Sequence, residues 1–319
     1  MRLALALGGV VGLGLVSLVV GVGDLSVADL WAGGPDSLSA QLLLISRIPR
    51  TLALILAGMA MGVAGLIMQM LSRNRFVEPS TAGTVEFAGL GLLVVTMTAP
   101  ALPVIGKMLV AAAFALVGTA IFLRIVRSIP LRSALVVPLI GLMLGGVVEA
   151  MSTFLAYRYD LQQTLAAWMT GDFSGVLRGR YELLWIAAVL TVIAYVAADR
   201  FTVAGLGEEF TTNLGLNYRR VMTLGLAIVA VVSAVVVVTV GAIPFLGLVV
   251  PNIASLLVGD NLRRSIPWVA VLGAGFVLAC DIVGRIVRYP YEIPIGTVVG
   301  VVGSAIFLYF LLRRARATS

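Results

Sequence analysis

Apolar runs of about twenty residues repeat along the whole chain, separated by short polar breaks that carry most of the arginines. A membrane-crossing helix needs about 20 apolar residues. Ten segments meet that expectation: residues 3–23, 50–70, 82–101, 106–126, 133–156, 181–199, 220–240, 241–259, 267–284 and 294–312. The pattern predicts an all-α polytopic membrane protein, a single domain over residues 1–319, with ten transmembrane helices. The seventh and eighth runs are continuous except at "GAIPFLGLVVP". There Gly241, Pro244, Gly247 and Pro251 predict a reversal or a broken helix, because proline lacks the N–H that a continuous helix uses. The first run follows Arg2 and lacks a small-residue cleavage site before a soluble domain, so it reads as a retained span.

Composition agrees. The 319 residues are 61% hydrophobic and 12% charged, with a mean hydropathy of +1.10. A soluble domain of that size needs more charged surface. The 35 glycines suit close helix packing. Cys280 is the one cysteine and there is no histidine. An internal disulfide is excluded, and cysteine-rich metal sites, haem, zinc and histidine-based chemistry lose their commonest groups. The net charge of +7 forms no basic stripe, so nucleic acid is not an expected partner.

Positive charge orients the spans. With the N-terminus cytoplasmic, 14 of the 22 basic residues fall inside and 8 outside, and ten spans return the "RRAR" tail to the inside. Arg47 and Arg50 in "SRIPR" then face outward, as do Arg285 and Arg288 in "DIVGRIVRYPYEIPIG". Each pair is spaced i,i+3, on one face of a helix. Two readings stay open: a docking surface for an acidic protein or anionic solute, or headgroup anchoring and local pairs such as Asp281–Arg285. On the inner side, "DRFTVAGLGEEFTTNLGLNYRR" places Leu206, Phe210 and Leu214 every four residues before Gly215. That spacing predicts a short amphipathic helix on the membrane surface, suited to passing force from a soluble motor or simply covering the membrane face. No phosphate-binding loop is present, so any ATP is hydrolysed elsewhere. Glu86 and Glu149 lie in or near spans, where a carboxylate is costly unless paired, protonated or facing water. They can pair across helices, line a solute path or carry a proton. The last option belongs to an alternative reading, a proton-coupled secondary transporter using Glu86 or Glu149.

The stretch "RIPRTLALILAGMAMGVAGLIMQMLSRNRFVEPSTAG" resembles the signature region of permease subunits of type II ABC importers for iron–siderophores, cobalamin and haem. Arg47, Pro49 and Arg50 match an arginine–x–proline–arginine element. Gly58, Gly65 and Gln69 match the helix that follows, and Asn74 and Pro79 match the ends of a turn. Gly241, Ile243, Phe245, Gly247, Leu248 and Pro251 match a second motif. Asp281, Arg285, Glu292, Pro294 and Gly296 match a third. The resemblance covers about residues 40–312. Arg75, Phe76 and Val77 depart from the turn, and Asn252 and Ser255 stand where the family usually has histidine and arginine.

The resemblance implies ten spans and a bacterial inner-membrane location with both termini cytoplasmic. It implies a second permease subunit, identical or related, and two cytoplasmic ATPase subunits that use ATP and Mg. This chain then binds no cofactor and is not an enzyme. An extracytoplasmic binding protein delivers the substrate, a ferric siderophore or similar chelate, which passes between the two permeases. Arg47, Arg50 and Arg285 become docking residues, joined by Arg288 on spacing. Gly207, Glu208, Glu209, Leu214, Gly215 and Asn217, within about 207–217, become the ATPase coupling segment. Gln69, Glu86, Glu149, Phe245 and Asn252 are the candidate pathway residues.

Overall fold

The computed structural model describes residues 2–21, 37–128 and 136–317. Arg132 and the ends of two expected spans, residues 22–23 and 133–135, lie outside them. The described elements are helical. They are α1 (Arg2–Val19), α2 (Leu38–Leu42), α3 (Ile48–Ser72), α4 (Thr84–Thr98), α5 (Val104–Ser128), α6 (Val136–Arg158), α7 (Gln162–Met169), α8 (Leu184–Val196), α9 (Ala198–Leu206), α10 (Glu208–Asn213), α11 (Tyr218–Val240), α12 (Leu246–Val258), α13 (Leu262–Ile286) and α14 (Ile295–Ala317).

Ten spans are not what the chain builds. Among the described residues six helices are long and apolar enough to cross a membrane: α1, the run Leu38–Ser72, and α5, α6, α11 and α13. A seventh counts only if Tyr181–Val196 and Ala198–Leu206, bent by 64°, are taken as one span. Residues 82–101, 241–259 and 294–312 give shorter apolar helices, Thr84–Thr98, Leu246–Val258 and Ile295–Phe310. The cause is local. Loops consume residues that hydropathy assigns to spans. Gly83 at φ +78°, Gly241 at +85°, Phe245 at +61° and Gly259 at +78° all turn the chain. Thirteen residues of α12 at 1.5 Å each reach about 20 Å, short of a hydrocarbon core of about 30 Å. The inside–outside count built on ten spans falls with them.

Helix α3 is the axis of the bundle. Pro49 sits in its first turn, where the missing N–H costs nothing. A π-helical turn, Leu43–Arg47, joins it to α2. It ends in a Schellman motif on a non-glycine residue: Arg73 is left-handed, its N–H reaches Met70 O, and Asn74 N–H reaches Gln69 O at 2.9 Å. Around α3 pack α8, α11, α12 and α13. The approach is backbone on backbone. A Cβ on Gly58 would stand 2.5 Å from Gly273 O, and one on Gly65 only 2.1 Å from Gly247 O. Small residues at helix crossings are how membrane helices gain packing without a hydrophobic drive between them. By contrast α1 is peripheral, with only Gly14 and Ser17 buried.

Gly65→Ala should therefore force α3 and α12 apart and destabilise the protein by about 1–3 kcal/mol. Gly9→Ala, with open space around the added methyl, should change little. Thermal unfolding of the three proteins in nanodiscs checks this, and equal transitions would refute the crossing.

Candidate functional site

At the end where α1 stops, α3 starts and α13 stops, three arginines and two carboxylates form one knot. The Arg50 guanidinium donates to Asp281 Oδ1 at 2.7 Å and to Glu292 Oε2 at 2.8 Å. Arg285 pairs with the other Asp281 oxygen at 2.5 Å, one helical turn away. Its Nη1 also donates to Ser17 O and Val20 O, and its Nη2 to Ser17 Oγ. Arg47 Nη1 donates to Leu18 O and Val19 O, both at 2.7 Å. The two arginines thus cap the C-terminal carbonyls of α1, where cations also suit the helix dipole. Arg47 and Arg285 are 7% and 5% exposed. Three of the four arginines expected to face a docking protein are thus turned inward and engaged by this chain. Arg288 alone among them is exposed, with its guanidinium 5.9 Å from the Tyr291 ring. Glu292, as a partner of Arg50, was visible in the sequence only as a motif position.

The opposite end of α13 lies 22 residues away, about 33 Å along the helix. There Arg263 pairs with Asp199 of α9 at 2.5 Å. The expected amphipathic segment is two short helices, α9 and α10, broken at Gly207 with φ +121°. The apolar stripe does not lie against the protein: Leu206, Phe210 and Leu214 are each more than 60% exposed. Thr211 faces inward instead, donating to Gly207 O and Val203 O. Glu208, Glu209, Gly215 and Asn217 are exposed beside the stripe. Asn217 caps α11 by accepting from Arg220 N–H.

At this same end, where α3 stops and α13 starts, the departures from the family motifs meet. Arg75 O accepts from Asn252 Nδ2 at 2.9 Å, and the Arg75 guanidinium donates to Ser255 Oγ and pairs with Asp260. Ser255 donates to Asp260 Oδ1 at 2.6 Å. The altered turn and the two altered positions on α12 are one compensated contact. Gln69 is buried and donates to Gly247 O at 3.3 Å, tying α3 to α12. Phe245 stacks on Phe307 at 6.5 Å. Its strained left-handed backbone is held by a residue that went unnoticed in the sequence. Glu78 Oε1 accepts from Phe245 N–H at 2.7 Å and from Ser80 Oγ at 2.5 Å. A carboxylate from another loop caps α12. Burial pushes the Glu78 carboxyl up to about 7, outweighing the hydroxyl and backbone N–H groups that favour its anion. Glu86 and Glu149 share a cavity with Ser80 and Ser152 between α4, α6 and α7.

The chain matches the FecCD transport family over residues 9–313. It belongs to that family. It is 50% identical over 302 residues to the petrobactin import system permease protein YclN of Bacillus subtilis (strain 168), covering 95% of each chain. It is 41% identical over 275 residues to the ferric-anguibactin transport system permease protein FatD of Vibrio anguillarum, covering 86% of this chain and 88% of that one. The fold is similar to that of a metal-chelate-type ABC transporter solved in an inward-facing conformation, with a TM-score of 0.79, 22% identity and coverage of 96% and 98%. As a FecCD-type permease, this chain is a multi-pass bacterial inner-membrane subunit of an ABC importer. Its partners are a second permease, ATPase subunits that use ATP and Mg, and an extracytoplasmic binding protein.

Two outcomes test the site. Arg50→Ala leaves Asp281, at 2% side-chain exposure, short of a partner and should cost about 3–5 kcal/mol of stability. An unchanged unfolding transition in nanodiscs would overturn the knot. The folded protein also holds the Glu78 proton more tightly than the unfolded chain does. Glu78 thus contributes full stability below the ordinary value of 4.5, lost as pH rises through about 7. Glu78→Gln keeps an acceptor for Phe245 N–H and should flatten that decline between pH 5 and 8, seen as unfolding temperature against pH.

Proposed function

We propose that this permease carries a ferric siderophore, received from the binding protein, through a path at its interface with a second permease and into the cytoplasm. The carrying observation is the 50% identity, over 95% of both chains, to a petrobactin import permease. The second permease, identical or related, covers α6, where Leu142, Met143, Val147 and Phe154 are exposed. Glu149 is exposed on the same helix. Lipid is a poor neighbour for a carboxylate, which favours protein or a water-filled path there. Both termini are placed in the cytoplasm, which puts the arginine knot outside and α9–α10 inside. The separation of about 33 Å along α13 matches the bilayer's apolar thickness and suits the knot and α9–α10 lying on opposite faces.

Docking then falls to Arg288 and the rim around the knot. Arg47, Arg50 and Arg285 shape that rim from beneath. The exposed Leu206, Phe210 and Leu214, bordered by Glu208 and Glu209, suit insertion into a groove on the ATPase. Gly207, Gly215 and Asn217 set the turns that present them. Gln69, Phe245 and Asn252 hold α12 against α3 beside the path, and Glu86 and Glu149 line it.

The test is the assembled importer in proteoliposomes. Binding protein loaded with a ferric siderophore should stimulate ATP hydrolysis and uptake, whereas haem or cobalamin should not. Uptake driven by a pH gradient without ATP would overturn the assignment. Phe210→Asp should leave the fold intact and weaken ATPase recruitment roughly 30-fold or more, the scale of an apolar anchor at an interface. Normal recruitment would remove α9–α10 from that role. Arg288→Glu should weaken docking of the loaded binding protein, more so at low salt.

A further inference from the structure

The cavity shared by Glu86 and Glu149 has a volume of about 240 Å³. Its polar wall comes from Glu86, Glu149, Ser80 and Ser152, and its apolar wall from Val85, Leu165, Met169 and Pro244. Among the described residues no arginine or lysine lines it. Glu86 reaches across to α6, where a Cβ on Gly145 would lie 3.4 Å from its carboxyl carbon. That contact is one helical turn before Glu149. Glu86 Oε2 is buried and has no hydrogen-bond partner. Ser152 is 4% exposed, lines the same space, and its Oγ is likewise without a partner. Glu149 also borders a wider groove along α6, so the cavity connects to the outside of the chain.

A buried carboxylate oxygen on Glu86, with the Glu149 carboxylate beside it and no counter-charge lining the space, is costly, and a buried hydroxyl without a partner adds to that cost. A cation that enters with its own hydrogen-bond donors relieves all three. A hard metal ion is a poor match. Calcium takes six to eight oxygen ligands and magnesium a near-ideal octahedron, and no cluster of three or more acidic, cysteine or histidine residues able to hold a metal occurs among the described residues. An ammonium group is a good match. Glu86, Glu149 and Ser152 Oγ offer acceptors for its N–H donors, and Leu165 and Met169 line the same space for its alkyl stem. The space is smaller than the roughly 300–1,000 Å³ of a whole small-molecule site, so it suits one arm of a larger ligand.

We propose that this cavity binds an alkylammonium group, of the kind an amine-bearing metal chelate presents, and so selects chelates that carry a protonated amine. The assignment to a chelate rests on the import reading above. The binding step does not. The full-length permease is placed in nanodiscs of zwitterionic lipid, and its thermal unfolding is followed with n-butylammonium chloride, n-butanol or potassium chloride. A ligand that binds the folded state raises the transition in proportion to the logarithm of its concentration over its dissociation constant. Butylammonium should raise the transition, and butanol and potassium should not. Glu86→Gln and Glu149→Gln should each remove at least half of the rise. Glu149 is exposed, so its variant folds. An equal rise in both variants, an equal rise with potassium, or no rise with butylammonium overturns the proposal. Neither ATPase nor uptake enters the measurement, so its failure leaves the import reading standing, and failed import leaves a measured cation site standing.

Discussion

Asp281 is the residue on which one end of the bundle, where α1 stops and α3 starts, depends. It is almost fully buried and carries a charge that its surroundings cannot solvate. Arg50 from α3 and Arg285 from its own helix neutralise it. Having entered, those arginines bring further unsatisfied N–H groups, which Glu292 and the last carbonyls of α1 accept. Each group in the chain of contacts is tolerable only because the next is present. The result anchors α1, a helix with little other burial, to the two helices at the centre of the fold. The same residues that suggested a docking surface from their spacing therefore have a prior structural duty.

Glycine does for the middle of the bundle what charge does for its end. Where α3 passes α12 and α13, the backbones are too close for any side chain. That proximity lets a helix of 13 residues stay in the core without spanning the membrane. Its free N–H groups would be exposed to an apolar environment. Glu78 turns them from a liability into a contact, at the cost of burying a carboxylate. Irregular backbone at that depth is tolerated where protein rather than lipid surrounds it.

Hydropathy located helical segments well and measured them badly. Among the described residues each apolar run contains a helix, but α4, α12 and the apolar part of α14 are shorter than the runs that predicted them. Hydropathy has no term for the residues that turns such as 241–245 remove from a span. Spacing paired Asp281 with Arg285 correctly, because i,i+4 is a local property. It was blind to Arg50–Asp281 and Arg50–Glu292, whose partners are more than 230 residues apart. The four-residue stripe of Leu206, Phe210 and Leu214 was real, yet its direction was not legible. Thr211, a polar residue next to Phe210, is the buried one. The link between Arg75, Asn252, Ser255 and Asp260 explains why departures far apart in sequence occur together, and only the fold joins them.

The three regions now differ in what each can bind. At the knot, charges are already paired within the chain, so a partner gains mainly from the exposed Arg288 and from steering over distance. At α9–α10, exposed apolar side chains gain by leaving water, which suits a permanent protein partner better than a transient one. In the cavity between them, negative charge is left without an internal answer. Had selection acted only for stability, Glu86 and Ser152 would be better replaced by apolar groups of similar size, since removing both sides of an unsatisfied polar contact is close to neutral or stabilising. Their presence in a space open toward the α6 groove is more simply explained by a visitor that carries the missing positive charge, and a protein wall that stayed apolar elsewhere so that the charge would decide which visitor stays.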